Sequence, residues 1–235
     1  MSERIKKNLI KYLEQREATG EKGFWYGPEE KSSSTSEDRA ILLDDLRKKA
    51  EECRACPLGE FRLNACFGDG AYDSKLMFIG ERAGDHVDHD GRVFIGRARK
   101  LLDKIIETTL GLKRSEVYVT NIVKCHPMKD PTDPDKRGND RPPTEEELQV
   151  CINKFLFKEI SIIRPKVIVT LGAPAGRTIL NESRGITKFR GILRKVNFGG
   201  HEAEVIPTFH PAYLLRSPSK KREVQIDMEL VKSRL

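Results

Sequence analysis

No stretch of this 235-residue chain is apolar for anything near the ~20 residues that a bilayer-spanning helix needs. That excludes a helical membrane protein and leaves no membrane partner to expect. Cysteine is scarce, and its count of five is odd, so a disulfide framework is not expected in a chain this long. Charge of one sign is not dominant: 43 basic against 36 acidic residues give +7, with a pI of about 9.1. So modest an excess fits a polyanionic partner but equally fits a charged surface. The first ten residues hold no apolar core flanked by small residues, so no secretory signal is expected and the thiols should stay reduced. Under those conditions clustered cysteines suggest a metal.

The mean hydropathy is low, −0.54, yet several dense apolar runs argue against wholesale disorder. The length fits one domain with tails, or two small domains, on a prior of about 150 residues per domain. Residues 1–35 read as an N-terminal extension, a helix with Ile5, Leu9, Ile10 and Leu13 at helical spacing followed by a Ser-rich linker. Residues 36–235 read as the folded domain, opening on a helix with Ser36 as its N-cap.

Four short runs then share one character. Residues 76–79, 117–120, 167–171 and 205–209 are apolar, rich in β-branched or aromatic side chains, and end at Gly80, Asn121, Gly172 and His210. Such runs read as strands buried on both faces. Helical patterns over 97–110, 144–163, 173–180 and 220–235 separate or follow them, the second opening on a Thr144/Glu147 capping box. The alternation predicts an α/β fold, a three-layer α/β/α sandwich around a four-stranded parallel sheet. Ligands of such sheets sit beyond the carboxyl ends of the strands. Those ends carry Gly80-Glu81-Arg82, Asn121 and His210: a carboxylate, an amide that offers a donor and an acceptor together, and an imidazole. Cys53-x-x-Cys56 with two distant cysteines fits zinc or iron–sulfur equally well by spacing.

The order of motifs resembles the family 4, iron–sulfur uracil-DNA glycosylases. The resemblance includes Cys53-x-x-Cys56-Pro57-Leu58, Leu76-Met77-Phe78-Ile79-Gly80-Glu81, Gly91-Arg92-x-Phe94-x-Gly96-Arg97 and Val119-Thr120-Asn121-Ile122-Val123-Lys124-Cys125. It continues through Arg141-x-Pro143-Thr144-x-Glu146-Glu147 before Cys151, Val167-Ile168-Val169-Thr170-Leu171-Gly172, and Thr208-Phe209-His210-Pro211-Ala212-Tyr213-Leu214-Leu215-Arg216. It implies a monofunctional glycosylase that acts on uracil-containing DNA as a monomer, in a prokaryotic, nucleoid-associated cytoplasmic setting. It further implies a [4Fe-4S] cluster on Cys53, Cys56, Cys125 and Cys151, with Cys66 a plain thiol.

The roles it implies are specific. Phe94 stacks on uracil, Asn121 reads its amide edge, and His210 stabilises the departing anion. Glu81, with the Gly80 backbone, serves the sugar and water site. Leu214 fills the vacated stack, and Arg216, Lys220 and Lys221 hold phosphates. Departures from the family pattern lie at Arg82 and Ala83, where it has Ala and Pro, at Val93 for Pro, and at Arg99 for Gly. Arg82 is expected to reach a flanking phosphate. The variant loop also admits a glycosylase of altered base range, or a uracil-DNA binding protein of weak turnover.

Overall fold

The computed structural model describes residues 35–83, 93, 96–134, 136 and 138–235. The helix expected in the N-terminal extension and the residue Phe94 lie outside them. The chain enters through helix α1 (Ser36–Glu51), whose cap is Thr35 rather than Ser36. The Thr35 side chain accepts from the Asp38 N–H, and the Asp38 carboxylate accepts from the Thr35 N–H, a reciprocal capping box. A single turn, α2 (Leu58–Phe61), follows the Cys53/Cys56 loop.

The strands are β1 (Asp69–Gly70), β2 (Leu76–Arg82), β3 (Tyr118–Val123), β4 (Val167–Leu171), β5 (Arg194–Asn197) and β6 (Glu202–Thr208). They form one sheet in the order β1-β3-β2-β4-β6-β5. The four expected strands are its parallel centre, β3-β2-β4-β6. The sheet itself has six strands, not four, because β1 and β5 add antiparallel edges. Both edges are short and polar, which discourages pairing with other chains.

Helices lie on both faces because every central strand is buried on both. Met77, Ile79, Tyr118, Ile122, Ile168 and Val205 pack with α1, with α4 (Glu145–Cys151) and α5 (Phe157–Ile163), and with α6 (Ala173–Leu180). Leu76, Phe78, Val119, Val169 and Ile206 pack on the other side with α3 (Gly96–Ile105), α7 (Pro211–Arg216) and α8 (Lys221–Lys232). Between α4 and α5 the ladder widens into a five-residue π turn, Ile152–Leu156. A second π turn, Ile106–Leu110, ends α3 and closes on Gly111.

The connections β2→β3 and β4→β6 run outward in opposite directions from the β2/β4 seam. That seam is the topological switch point, where open α/β sheets bind ligands at the carboxyl end.

Candidate active site

Two strands flank the seam and carry the two central candidates. On β3, Asn121 stands in register with Gly80 of β2. It lies inside the strand, which runs on to Val123, rather than at its end. Asn121 is 2% exposed, and its Oδ1 has no hydrogen-bond partner among the described residues. Leaving a buried acceptor unpaired costs ~1–3 kcal/mol, so such an atom is poised for a donor from outside the chain.

Beyond β6, His210 caps α7, and its Nδ1 accepts from the Ala212 N–H at 3.1 Å. An accepting Nδ1 leaves the proton of the neutral ring on Nε2. Burial, reinforced by the Arg216 and Arg82 charges, pushes the His210 pKa down to about 4. The ring is thus a neutral donor at pH 7. Gly172, at the end of β4, has φ +90°, and a Cβ there would meet the His210 Cβ at 3.2 Å. Glycine therefore lets the β4 turn pass close behind the imidazole.

Gly80, Glu81 and Arg82 are the last three residues of β2, between those two strands. Burial raises the half-buried Glu81 carboxyl above its ordinary value, against the lowering effect of Arg82. The Arg82 guanidinium does not extend outward. Its Nη1 donates to Asp140 Oδ1 at 2.7 Å and to the Ala83 carbonyl at 2.9 Å. The same Asp140 oxygen bonds His126 Nε2 at 2.8 Å, and His126 and Arg82 together hold that carboxyl far below the carboxylate range. Asp140 is delivered by a hairpin whose base is the Met128–Asp140 bridge and the Arg141 N–H to Pro127 carbonyl bond. The expected phosphate contact of Arg82 is thus replaced by an internal ion pair.

The remaining candidates divide. Leu214 is fully buried (0% exposed) in the layer shared with α3 and α8, so it does not present a wedge. The exposed apolar side chain of α7 is Leu215, at 40%. The reason is helical phase: Pro211 and Leu214 face the core, and the next residue turns outward. Arg216 and Lys221 are exposed, whereas Lys220 is paired with Glu223 at 2.6 Å.

Cys53, Cys56, Cys125 and Cys151 belong to one core cluster, on the α1 face of the sheet. Burial, aided by neighbouring cysteines and opposed by Arg62 and Lys124 respectively, pushes the Cys125 thiol up to about 11 and the Cys151 thiol up to about 12. Donors address two of these sulfurs: Arg62 Nη1 reaches Cys125 Sγ at 3.5 Å and the Lys124 N–H reaches Cys151 Sγ at 3.3 Å. Arg62 also donates to the Ala50 and Cys53 carbonyls, capping the end of α1. Among the described residues no group of three or more His, Cys, Asp or Glu side chains is set to hold a single metal ion. The donor set suits a thiolate-bound group in kind: four sulfurs, with N–H donors ready to offset their charge.

Residues 67–229 match the model of the uracil DNA glycosylase superfamily. The chain belongs to that superfamily. It is 39% identical over 198 residues to a Type-4 uracil-DNA glycosylase of Thermotoga maritima, covering 83% of this chain and 95% of the relative. A Type-4 uracil-DNA glycosylase of Sulfurisphaera tokodaii is 37% identical over 197 residues, 81% of this chain and 84% of the relative. One of Saccharolobus solfataricus is 36% identical over 199 residues, 83% and 85% respectively.

Three features of this superfamily member escaped the sequence reading: Asp140, the Arg62 cap, and a buried pair of Lys124 with Glu159. Only the last left a trace, as one lysine and one glutamate each set within an apolar segment.

Proposed function

We propose that this protein is a DNA repair glycosylase that extrudes deoxyuridine and hydrolyses its N-glycosidic bond, releasing uracil and leaving an abasic site. The observation that carries the reading is the buried Asn121 Oδ1 beside the β2/β4 seam, without a partner among the described residues. Uracil offers an N3–H donor next to the O4 acceptor, which an amide matches; cytosine offers the reverse pair. Extrusion is required because the bond is out of reach in the base stack.

Bond cleavage leaves negative charge on uracil O2 and positive charge on the sugar. The neutral His210 donates its Nε2 proton in a hydrogen bond toward that oxygen, an oxyanion-type role worth ~10²–10³ in rate. A cationic imidazole would tend to give up its proton; the depressed pKa keeps the ring a donor without making it an acid. Glu81 stabilises the sugar cation and orients the attacking water. Phe94 stacks on the base. Arg216 and Lys221, both exposed, hold phosphates, and Leu215 takes the place first assigned to Leu214 in the vacated stack.

Cys53, Cys56, Cys125 and Cys151 hold a [4Fe-4S] cluster. When bound, it would crosslink the loop that follows α1, the residues just beyond β3 and the last residue of α4.

Incubation with uracil-containing oligonucleotides, followed by alkaline scission, tests the reading. Strand breaks at uracil and none at cytosine are expected. Asn121→Asp should lose ~1–3 kcal/mol of that discrimination. Tight binding to uracil-containing DNA with no scission under single turnover would overturn the hydrolytic assignment.

A further inference from the structure

Lys124 and Glu159 are 1% and 0% exposed and form an ion pair, yet neither has a task in the reaction. A buried ion pair gives little net stability over apolar residues of the same volume. What it holds is therefore the more informative question. Lys124 Nζ donates to the Asn121 carbonyl at 2.7 Å and to Thr120 Oγ1 at 2.8 Å. Thr120 Oγ1 donates in turn to Glu159 at 3.0 Å, and the Tyr118 hydroxyl donates to Glu159 at 2.9 Å. Three residues of β3 are thus gripped from the face that carries the cysteines. Strand alternation puts the Asn121 carboxamide on the opposite face, with Val119. The Lys124 N–H, at the other end of the same residue, donates to Cys151 Sγ at 3.3 Å.

We propose that Lys124 and Glu159 are positioning residues for base reading: they fix the β3 peptide beneath Asn121 and tie it to the cysteine set. The inference rests on the reading of Asn121 given above. An amide that selects by hydrogen-bond geometry needs a backbone that does not shift, and a misplacement of ~1 Å can cost ~10²-fold. Charge placed behind the strand supplies that restraint without entering the pocket.

The test uses the full-length, iron-loaded protein, with free uracil as a product inhibitor and an undamaged duplex as the reference ligand. In Lys124→Met combined with Glu159→Gln, the pair becomes neutral and the new amide still accepts from Tyr118 and Thr120. Iron content and undamaged-duplex affinity should match the wild type, while the uracil inhibition constant rises ~10-fold or more. An unchanged uracil constant in the iron-loaded double variant would overturn the proposal. Should that variant not fold, Lys124→Met alone decides: it removes the bond to the Asn121 carbonyl and leaves Glu159 held by Tyr118 and Thr120, and a uracil constant equal to the wild type again refutes the role. Asn121→Asp runs alongside. If it leaves uracil inhibition untouched, the base-reader assignment fails; if it weakens inhibition and the other variants do not, the positioning role alone fails.

Discussion

Replacing His210 by Asn should flatten the acid side of the stability profile. Burial, with the Arg216 and Arg82 charges, lowers this pKa from 6.5 to about 4 in the folded protein. As the pH falls through 6.5, the unfolded chain takes up a proton here and the folded chain does not until near 4. The unfolded state binds more protons in that window, so stability is lost as pH falls and is intact above it. With these two pKa values, proton linkage gives a loss of about 2 kcal/mol between pH 7 and pH 5, and about 3 kcal/mol once both states are protonated. Asn is chosen because its side-chain oxygen can still cap α7. Urea unfolding of both proteins at pH 7 and pH 5 isolates the His210 contribution, since other titrating groups are common to both. The wild type should lose about 2 kcal/mol more than the variant. Equal losses, or an imidazole titration by NMR with its midpoint at or above 6.5, would refute the neutral-donor argument. At pH 7 the same variant should slow single-turnover cleavage by ~10²–10³.

Replacing any one of Cys53, Cys56, Cys125 or Cys151 by Ser should abolish stoichiometric iron and sulfide, whereas Cys66→Ala should retain both; elemental analysis decides. Arg82→Ala should lower stability by about 1 kcal/mol or less, since the pair with Asp140 is partly solvated. It should leave the salt dependence of DNA binding unchanged, and a slope smaller by about one unit would return Arg82 to the phosphates. Removing the charges of Arg216 and Lys221 should reduce that slope by roughly one unit each, equally on uracil-containing and undamaged DNA. Lys220→Gln should have the smaller effect because Glu223 already holds its ammonium.

The parallel centre of the sheet was legible because strands buried on both faces are written as unbroken apolar runs. The edges were not. β1 is two residues long, and β5 alternates half-buried Arg194 and Val196 with exposed Lys195 and Asn197, so both read as loop. Asn121 looked like a strand terminator because asparagine is depleted in strands, but tertiary pairing with β2 overrode the propensity. His210 was placed correctly at the end of β6 by the same run-and-stop pattern. Leu214 was misjudged because its distance from His210 along the chain carries no information on facing until the start of α7 is known. Asp140 was invisible for a different reason. A carboxylate in a Pro-rich polar segment is unremarked until the hairpin folds it onto Arg82.

The π turn between α4 and α5 acts as a phase adapter. Cys151, Phe155, Glu159 and Ile163 are buried at every fourth position. An ideal α-helix turns about 100° per residue, so three steps of four would drift about 120° around the axis. One residue inserted into the ladder takes back about 100° of that drift. Cys151, which accepts from the Lys124 amide, and Glu159, which pairs with the Lys124 ammonium, thereby share one face of a continuous helical segment. Deleting a single residue from 152–156 would restore a regular helix and break no strand. It would also swing Glu159 more than a quarter turn away from Lys124, leaving a lysine charge sealed behind Asn121 with no counterion. The length of this helix is therefore constrained to the residue, even where its side chains are free to vary.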